Sequence, residues 1–534
     1  KADVNVATRE VLLGISRCYD NNYTPLKLAA EHGDVEALDV IIKAGALVNA
    51  NYRQGQFALG LAAREGHLDC VKALIAAKAA IERRNYKGKT ALMDAAHSGH
   101  VNILKELTGI AADAKVHTRD DRGRTALLFA STTAVADALL AARAEVNVRD
   151  KDGCTPLLHA IELRDIEYVK TLLNADANIN DQNVSGMSPL LELLSDSSTP
   201  VNVDIFQLLL ERKADVCAVN SDGDGALHLL ASHRSVNLQN VELLLDAGAC
   251  VNAQNHKGKT ALMCAIENNA LASASLLISR GADVNMRDIE GVTALIEAGY
   301  RGSAAVIREL LTAGADVDAQ ELSGESALIT AVKMEAQDCT QLLLIAKADV
   351  NLYDSNSATA LRYAIKNDDV EILKLLVDAG AQPEIGYSVY ESPLYDALAS
   401  QESEILDVLL RAKSAIDIGK LTKCDTCHLE KIVIQGKRQI LKKLVDAGLD
   451  LSQSTKLSAH VIHLAVKNSD EKILRLLVRA GAPVDAVDLS RTSRTSLMSA
   501  VSPSISRYLL ETHCQRTGYR SEERRVGKEC RSRW

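Results

Sequence analysis

Residues 24–33 read TPLKLAAEHG, and the pattern Thr-x-Leu-x-x-Ala inside this stretch returns along the chain. We call the first position of each copy the anchor. Successive anchors are 30 to 37 residues apart and half of the spacings are 33, a regularity that chance does not produce. The anchors are Thr24, Phe57, Thr90, Thr125, Thr155, Ser188, Gly225, Thr260, Thr293, Ser326, Thr359, Ser392, Thr426, His460 and Thr495. A repeat of this length indicates a solenoid of stacked units.

One copy read physically gives a helix, a turn, a second helix and an extended turn. Thr24 is suited to cap the first helix, and Pro25 follows at the first helical position, where its missing N–H is tolerated. Gly33 predicts a left-handed cap at the end of that helix, and Gly45 predicts one at the end of the second helix. Each unit has an apolar face that it cannot bury alone, so stacking of neighbours is expected.

These residues resemble the ankyrin repeat over roughly residues 20–515. The family's Thr-Pro-Leu phrase stands at Thr24-Pro25-Leu26 and Thr155-Pro156-Leu157, and its Gly-Ala-Asp-Val-Asn phrase at residues 281–285. The resemblance implies an all-α solenoid of about fifteen stacked helix-turn-helix repeats with extended turns. It also implies that partners contact the turn tips and the exposed side of the first helix, on a concave surface.

The domain organisation expected from the repeats is one solenoid over residues 1–515. It starts inside a repeat, because residues 2–5 match the closing phrase at residues 282–285. Residues 516–534 form a non-repeat tail, and Arg520 to Trp534 resembles translated read-through of a sequencing adaptor. We therefore interpret the tail as an artefact; the alternative is a genuine basic tail.

Composition excludes several classes of function. The net charge of -9 does not favour nucleic-acid binding, and no apolar run is long enough for direct membrane insertion. Aromatic residues make up only 3% of the chain, so the core should consist of Leu, Ala, Val and Ile. The eleven cysteines are scattered singly apart from Cys424 and Cys427, which is typical of reduced thiols in the cytoplasm.

Motifs that could support catalysis are incomplete. Gly88-Lys89-Thr90 and Gly258-Lys259-Thr260 mimic the end of a phosphate-binding loop, but Arg83 and Ala253 stand where its earlier glycine is required. Both triplets also fall on the boundary between a turn and a first helix. We therefore predict no enzyme activity.

Cys424, Cys427 and His428 form the short pattern of c-type haem attachment and could also supply three metal ligands. The alternative is two plain thiols and a surface histidine, because the pattern lies at a repeat boundary with no second cysteine pair nearby. We predict no metal and no cofactor, although the sequence leaves metal binding by this cluster open.

Charge and tyrosine content vary at the predicted tips. The early tips are basic and the later tips are acidic, which would orient an elongated partner; the alternative is that the charges only solvate exposed turns. Tyr353 belongs to a cluster of tyrosines, a residue type enriched in interfaces. The candidate protein-binding residues are Arg53, Arg84, Tyr86, Lys87, Lys89, Arg119, Arg122, Arg124, Glu290, Tyr300, Glu325, Tyr353 and Asp354.

The sequence thus predicts a monomeric protein–protein interaction scaffold. The alternative is a regulatory or targeting module of a larger enzyme or membrane protein that is truncated at both ends. Two local predictions accompany this interpretation. Lys78, Lys213, Lys347 and Lys413 occupy the left-handed cap position of Gly45, and Lys431 occupies a packing position that other copies fill with alanine. A distorted repeat is expected around Lys431.

Overall fold

The computed structural model describes residues 24–49, 56–109, 114–196, 200–233, 238–385, 393–399, 403–411, 428–452, 455–484 and 503–517. Within these ranges the regular structure is helical, and isolated antiparallel bridges such as Gln320 with Ser326 close some of the turns. The chain forms two compact units, Lys1–Ala282 and Asp283–Trp534. The predicted all-α fold is confirmed.

In the described ranges, most repeats contribute a first helix next to the anchor and a second helix that packs against it. The first helices are Pro25–His32, Ala58–Glu65, Ala91–Ser98, Pro156–Glu162, Pro189–Ser195, Ala226–Ala231, Ala261–Glu267, Ala294–Arg301, Ala327–Lys333, Ala360–Lys366, Pro393–Ala399, His428–Ile434 and Thr455–Lys467. The second helices are Val35–Lys43, Leu68–Ala76, Val101–Thr108, Thr133–Ala141, Ile166–Asn174, Val203–Glu211, Leu238–Asp246, Leu271–Ser279, Ala304–Thr312, Gln337–Ile345, Val370–Asp378, Ser403–Arg411, Arg438–Asp446, Glu471–Arg479 and Pro503–Thr517. The last helix runs past residue 515, where the sequence analysis placed the end of the repeats.

The predicted caps set the ends of these helices. Thr24 is extended and its Oγ1 accepts a hydrogen bond from Lys27 N at 3.3 Å, which satisfies one of the free amides of the first turn. Thr90 caps the helix Ala91–Ser98 in the same way. Gly33 ends the first helix in the left-handed region, with φ of 76°. The capping predictions are confirmed.

The core runs between first and second helices and is built from aliphatic side chains. The helix Ala91–Ser98 packs on the preceding first helix, Ala58–Glu65, and on its own second helix, Val101–Thr108. Its Leu92 and Ala95 are buried, and small residues such as alanine let the helices approach closely. Each fully buried leucine stabilises the fold by about 2 kcal/mol relative to exposure.

A side chain in the extended turn joins neighbouring repeats, and we call its contacts the clasp. Asn285 Oδ1 accepts from Asp316 N at 2.8 Å, and its Nδ2 donates to Gly314 O at 3.0 Å. The clasp therefore holds the end of the next second helix. The same acceptor contact is made by Asn49 with Ala80, Asn147 with Asn178, Asn180 with Asp215, Asp318 with Asp349, and Asn351 with Gln382.

The copy anchored at Thr125 departs from the predicted α-helix. Its first segment is a 3-10 helix, Ala126–Phe129, and the next anchor follows after only 30 residues. Because the segment is short, Thr132 is free to cap the second helix, where its Oγ1 accepts from Val135 N at 3.4 Å. Thr125 Oγ1 caps no helix. The residues that this shorter repeat lacks are therefore missing from its first helix.

The expectation about Lys431 is wrong. Lys431 is exposed, while Leu429, Ile432 and Val433 are buried in the helix His428–Ile434. These three residues follow Cys427 at the intervals at which Leu92, Ala95 and Ala96 follow Thr90. The anchor of this copy is therefore position 427 rather than 426, and Lys431 falls on the solvent face of a regular helix.

The unusual caps of the second helices are confirmed where the structure describes them. Lys78, Lys213 and Lys347 have φ of 60°, 61° and 64°, in the left-handed region. Lys413 lies outside the described residues. Arg143 and Asp176 occupy the same position with φ of 61° and 63°, which the sequence analysis did not notice. A left-handed conformation strains any residue with a Cβ atom.

Candidate functional site

The turn tips are closed by a side chain five residues before the anchor. Asp120 Oδ1 accepts hydrogen bonds from the backbone amides of Arg122 and Arg124 at 3.0 and 2.8 Å. The carboxylate thus binds two turn amides that water would otherwise bind. The same pair of contacts, to amides two and four residues ahead, is made by Asn85, Asp150, Asn183, Asn220, Asn255, Asp288 and Asp354.

Successive tips are hydrogen-bonded to one another. In the first unit, Lys151 N donates to Arg122 O at 2.8 Å, and in the second unit Leu322 N donates to Glu290 O at 2.8 Å. Long side chains six residues before the anchor add further bonds. Gln320 Nε2 donates to Gly324 O at 2.6 Å in its own turn and to Tyr353 O at 3.1 Å in the next. The tips of each unit therefore form a preorganised row.

Two predicted basic residues take part in this row. Arg84 Nε donates to Gly88 O at 3.0 Å, and its Nη2 donates to Arg119 O. Arg119 Nη1 in turn donates to Gly123 O at 3.2 Å and to Arg149 O at 2.7 Å. Both residues are exposed, so their charge faces solvent although several of their donors are bound to backbone carbonyls.

Three other candidates project from the early tips. Tyr86 is 61% exposed, and Lys87 Nζ lies 5.4 Å from the centre of its ring. Arg122 is exposed on the next tip, beside the backbone bond that joins it to the following one. Tyr86, Lys87 and Arg122 thus combine an aromatic side chain with two cations on neighbouring turns.

Lys89 and Arg124 lie on the inner side instead and meet around Phe129. Lys89 Nζ is 4.1 Å and Arg124 Cζ is 4.3 Å from the centre of that ring. Arg124 also pairs with the buried carboxylate of Asp120 at 2.9 Å. Burial, opposed by the charge of Asp94, lowers the pKa of Lys89. The sequence analysis missed Phe129. The signal was its position four residues after the anchor, where other copies carry polar side chains such as Asp94.

Asp94 borders this cluster and is a half-buried acid. Burial raises its pKa to about 6, against the opposing effect of the nearby charges of Lys89 and Arg64. His97 packs edge-on against Phe129, with ring centres 6.2 Å apart, and burial, then the charge of Lys89, lowers the pKa of the histidine. The inner face of these repeats therefore combines cations with an acid and a histidine whose pKa values burial shifts toward the neutral form.

The later tips expose apolar side chains that the sequence analysis did not name. Ile289 is 66% exposed, Leu322 is 81% exposed and the predicted Tyr353 is 57% exposed. They lie on three consecutive tips of the second unit, beside the exposed Glu290. The signal that could have identified Ile289 and Leu322 was an apolar residue four positions before the anchor, where a solvated turn is normally polar.

Glu325 and Asp354 were expected to face solvent, and the structure corrects this placement. Glu325 is 8% exposed; its Oε2 accepts from Tyr300 OH at 2.9 Å and its Oε1 from Lys333 Nζ at 2.6 Å. Asp354 is 3% exposed and accepts from Tyr363 OH at 2.6 Å. Both carboxylates are held by internal hydrogen bonds, and a partner could contact only their neighbours.

The pKa values of Tyr363, Asp354 and Tyr300, which together with Glu325 we call the inner cluster, follow from burial and from these hydrogen bonds. Burial, and then the hydrogen bond to Asp354, raise the pKa of Tyr363 to about 12. Burial alone would raise the pKa of Asp354, but hydrogen bonds from Tyr363, Ala358 and Asn356 hold it below its ordinary value. Tyr300 also has a raised pKa, first because of burial and then because of Glu325. The cluster is a fixed network at neutral pH.

Two predictions fall where the structure gives no description. Arg53 lies outside the described residues, and so do Cys424 and Cys427. His428 begins a helix, but its side chain is not described. In the described ranges no three His, Cys, Asp or Glu residues gather as a metal site would require. No helix in those ranges has the length and apolar character needed to cross a membrane.

The family model "Ankyrin repeats (3 copies)" matches residues 26–120, 110–183, 197–288, 276–354, 295–387 and 341–421, and the model "Ankyrin repeat" matches residues 460–489. The chain belongs to the ankyrin repeat family. The tips and inner helix faces described above are therefore those of ankyrin repeats, which serve as protein-interaction modules.

Several curated ankyrin proteins resemble parts of the chain. Ankyrin repeat and SOCS box protein 6 of Pongo abelii is 36% identical over 139 residues, which is 25% of this chain and 32% of that protein. SH3 and multiple ankyrin repeat domains protein 2 of Homo sapiens is 33% identical over 153 residues, 28% of this chain and 8% of that protein. The chain thus spans less than a third of the length of these relatives.

A solved structure also resembles the chain. The crystal structure of the ankyrin repeat domain of Bcl-3, described as a unique member of the IkappaB protein family, aligns with a TM-score of 0.37 and 29% identity. The alignment covers 42% of this chain and 99% of that domain.

Proposed function

We propose that this ankyrin repeat protein is a non-enzymatic, monomeric scaffold in the cytoplasm that binds other proteins along its turn tips and inner helix faces. The observation that carries the proposal is the row of exposed apolar side chains at Ile289, Leu322 and Tyr353. Apolar side chains exposed on neighbouring positions mark interaction sites rather than solvated turns. Backbone bonds between the tips hold the row in place, which lowers the entropy lost on binding.

Each unit offers a surface of different charge. The basic tip surface of the first unit consists of Arg84, Tyr86, Lys87, Arg119 and Arg122. It suits a partner segment that combines acidic and aromatic or aliphatic residues, because the cations attract carboxylates while Tyr86 supplies contact area. Arg53 is proposed to extend this surface toward the N-terminus, and Lys89 and Arg124 to border it on the inner face.

The acidic tip surface of the second unit consists of Ile289, Glu290, Leu322 and Tyr353. It suits a basic segment with apolar side chains. Tyr300, Glu325 and Asp354 lie inward of this surface and are proposed to support it by fixing the inner helix faces rather than by meeting the partner with free charge. Nucleic acid is not proposed as a partner, since the net charge of the chain is -9.

The acidic tip surface is tested by selecting peptides from a random display library on the intact chain and measuring their affinities. Leu322→Ala should weaken the selected basic-apolar peptides by about tenfold or more, as truncation of a central apolar contact does. Ile345→Ala is the matched control, because Ile345 is 70% exposed but lies at the end of a second helix. Equal loss in both variants would contradict the proposal.

The basic tip surface has its own charge test. Lys87→Glu should slow association of acidic peptides, and the effect should shrink as salt is raised, because exposed charges steer encounter. Lys72→Glu makes the same change on the exposed side of a second helix and should leave the rate unaltered. Peptides whose rates respond equally to both variants are not bound at the tips.

A second candidate function is a regulatory or targeting module of a larger protein. It is favoured by the match of this chain to only 8% of SH3 and multiple ankyrin repeat domains protein 2, and to 8% of E3 ubiquitin-protein ligase KEG of Arabidopsis thaliana, which is 32% identical over 127 residues. Sequencing of the full-length transcript separates the two, since only the module requires further coding sequence with another domain.

A further inference from the structure

Two cysteines from adjacent repeats of the first unit lie side by side. The sulfur atoms of Cys217 and Cys250 are 3.0 Å apart, and both residues are exposed. The residues are separated by 33 positions, so the sequence analysis treated them as single thiols. Of the other cysteines whose side chains the structure describes, Cys154 is half-buried and Cys70, Cys264 and Cys339 are buried.

The pair stands where other junctions carry the clasp. Cys217 follows Asp215 by two positions, as Asn285 follows Asp283, and Cys250 follows Gly248 as Asp316 follows Gly314. Cys217 Sγ lies 3.8 Å from Gly248 O, in the place where Asn285 Nδ2 donates to Gly314 O at 3.0 Å. A thiol is a weak donor and has no carboxamide oxygen, so it is a poor substitute for asparagine.

We propose that Cys217 and Cys250 form a thiol modification site that a low-molecular-weight disulfide, such as oxidised glutathione, converts to a disulfide across the junction between two repeats. This inference is independent of the partner surfaces above. The disulfide replaces the missing clasp by a covalent bond. A bond between neighbouring repeats matters in a solenoid because each repeat is held only by its neighbours.

The chemistry is ordinary thiol–disulfide exchange. One protein thiolate attacks a sulfur of oxidised glutathione, forms a mixed disulfide and releases one glutathione thiolate. The second protein thiolate attacks the protein sulfur of the mixed disulfide, closes the Cys217–Cys250 bond and releases the second glutathione. The two protein thiols lose their protons to solvent, and oxidised glutathione takes up the two electrons.

The sequence lets mass spectrometry detect this bond directly. Trypsin cleaves after Lys213, Arg234 and Lys257, which places the two cysteines on different peptides. The intact chain is treated with oxidised glutathione at about pH 8.5, because the hydrogen bond that the Cys217 thiol shares with Cys250 raises the pKa of Cys217 and ionisation is needed for attack. Alkylation then blocks the remaining thiols before digestion.

Oxidised wild-type protein should yield the cross-linked peptide pair, with the intact mass lower by two hydrogen atoms. Cys250→Ser should instead carry one glutathione on Cys217, which shows that the oxidant reaches this residue. Cys154→Ser should behave as wild type, because burial, followed by the charges of neighbouring acids including Glu162, raises the pKa of Cys154 to about 12. Amide exchange at Gly248 should slow by about tenfold on oxidation.

Three results would overturn the proposal. The first is wild-type protein that ends with a glutathione on each cysteine and no cross-link. The second is a disulfide that joins two chains at either cysteine. The third is Cys250→Ser protein that takes up no glutathione while denatured protein does, which would show that the thiol is not accessible in the fold.

Discussion

Replacement of Asn285 by alanine removes the whole clasp between two repeats of the second unit. The side chain loses the bond from Asp316 N at 2.8 Å and the bond to Gly314 O at 3.0 Å. Asn285 is exposed, so water can replace part of what is lost. We expect each bond to contribute about 0.5–1 kcal/mol, the lower part of the usual range for intramolecular hydrogen bonds.

Together the two bonds should contribute about 1–2 kcal/mol to the free energy of opening this junction. Their loss should raise the equilibrium constant for opening by about 5- to 30-fold. Native-state amide hydrogen exchange is the appropriate assay, because the repeats are expected to open locally rather than in one two-state transition. The amide of Asp316 should lose protection by that factor in Asn285→Ala. Amides of more distant repeats should change little.

Asn285→Asp is the matched control. Aspartate keeps the acceptor and loses the donor, and Asp318 already holds Asp349 N at 2.7 Å in this way at the next junction. The free energy of opening measured at the Asp316 amide should therefore fall by only about half as much in Asn285→Asp as in Asn285→Ala. Unchanged exchange of Asp316 in Asn285→Ala, or equal effects of the two substitutions, would show that the carboxamide does not hold the repeats together.

Three further predictions concern the backbone and the inner face. Lys347→Gly should stabilise the second unit by up to about 1 kcal/mol in denaturant melts, because φ of 64° strains a residue with a Cβ atom; the reverse change Gly314→Lys should destabilise it similarly, and opposite signs would refute a strained cap. Asp94→Asn should raise stability by up to about 3 kcal/mol at pH 7 and by little at about pH 3.5. The folded-state pKa of about 6 exceeds the ordinary 3.8, so the free energy of unfolding falls as pH rises between these values, and equal gains at both pH values would contradict this account. Gly186→Ala should destabilise the first unit by about 1 kcal/mol or more and lower its thermal midpoint by about 2–4 °C or more, because φ is +73° and the new Cβ would lie 2.8 Å from Ser221 N; a neutral result would show that the tips are not rigid.

The repeat pattern predicted the helices because its signals are local. Thr90 accepts from Met93 N three residues away, and Gly33 closes the helix that precedes it directly. Such contacts involve neighbours in the chain, so residue type and spacing suffice to identify them. The left-handed conformation of Lys347 was predictable for the same reason, by comparison with Gly314 in the preceding copy.

The candidate site was predictable only in part. Tyr86, Lys87 and Tyr353 are exposed at tips as expected, but Asp354, which was predicted at the same tip as Tyr353, is buried and accepts a hydrogen bond from Tyr363. Sequence spacing placed each residue on a turn without showing which side chains the turn needs for its own hydrogen bonds. Binding by any of these residues stays a prediction.

The sequence by itself determined the family, the helices and the positions of the tips, because these follow from contacts within one repeat. Only the tertiary structure decided which residues of neighbouring repeats meet. It placed Cys217 beside Cys250 and moved the anchor near Lys431 by one position. Such contacts depend on how the helices of successive repeats stack, and the packing of buried side chains such as Leu429 sets that stacking over distances that no local pattern records.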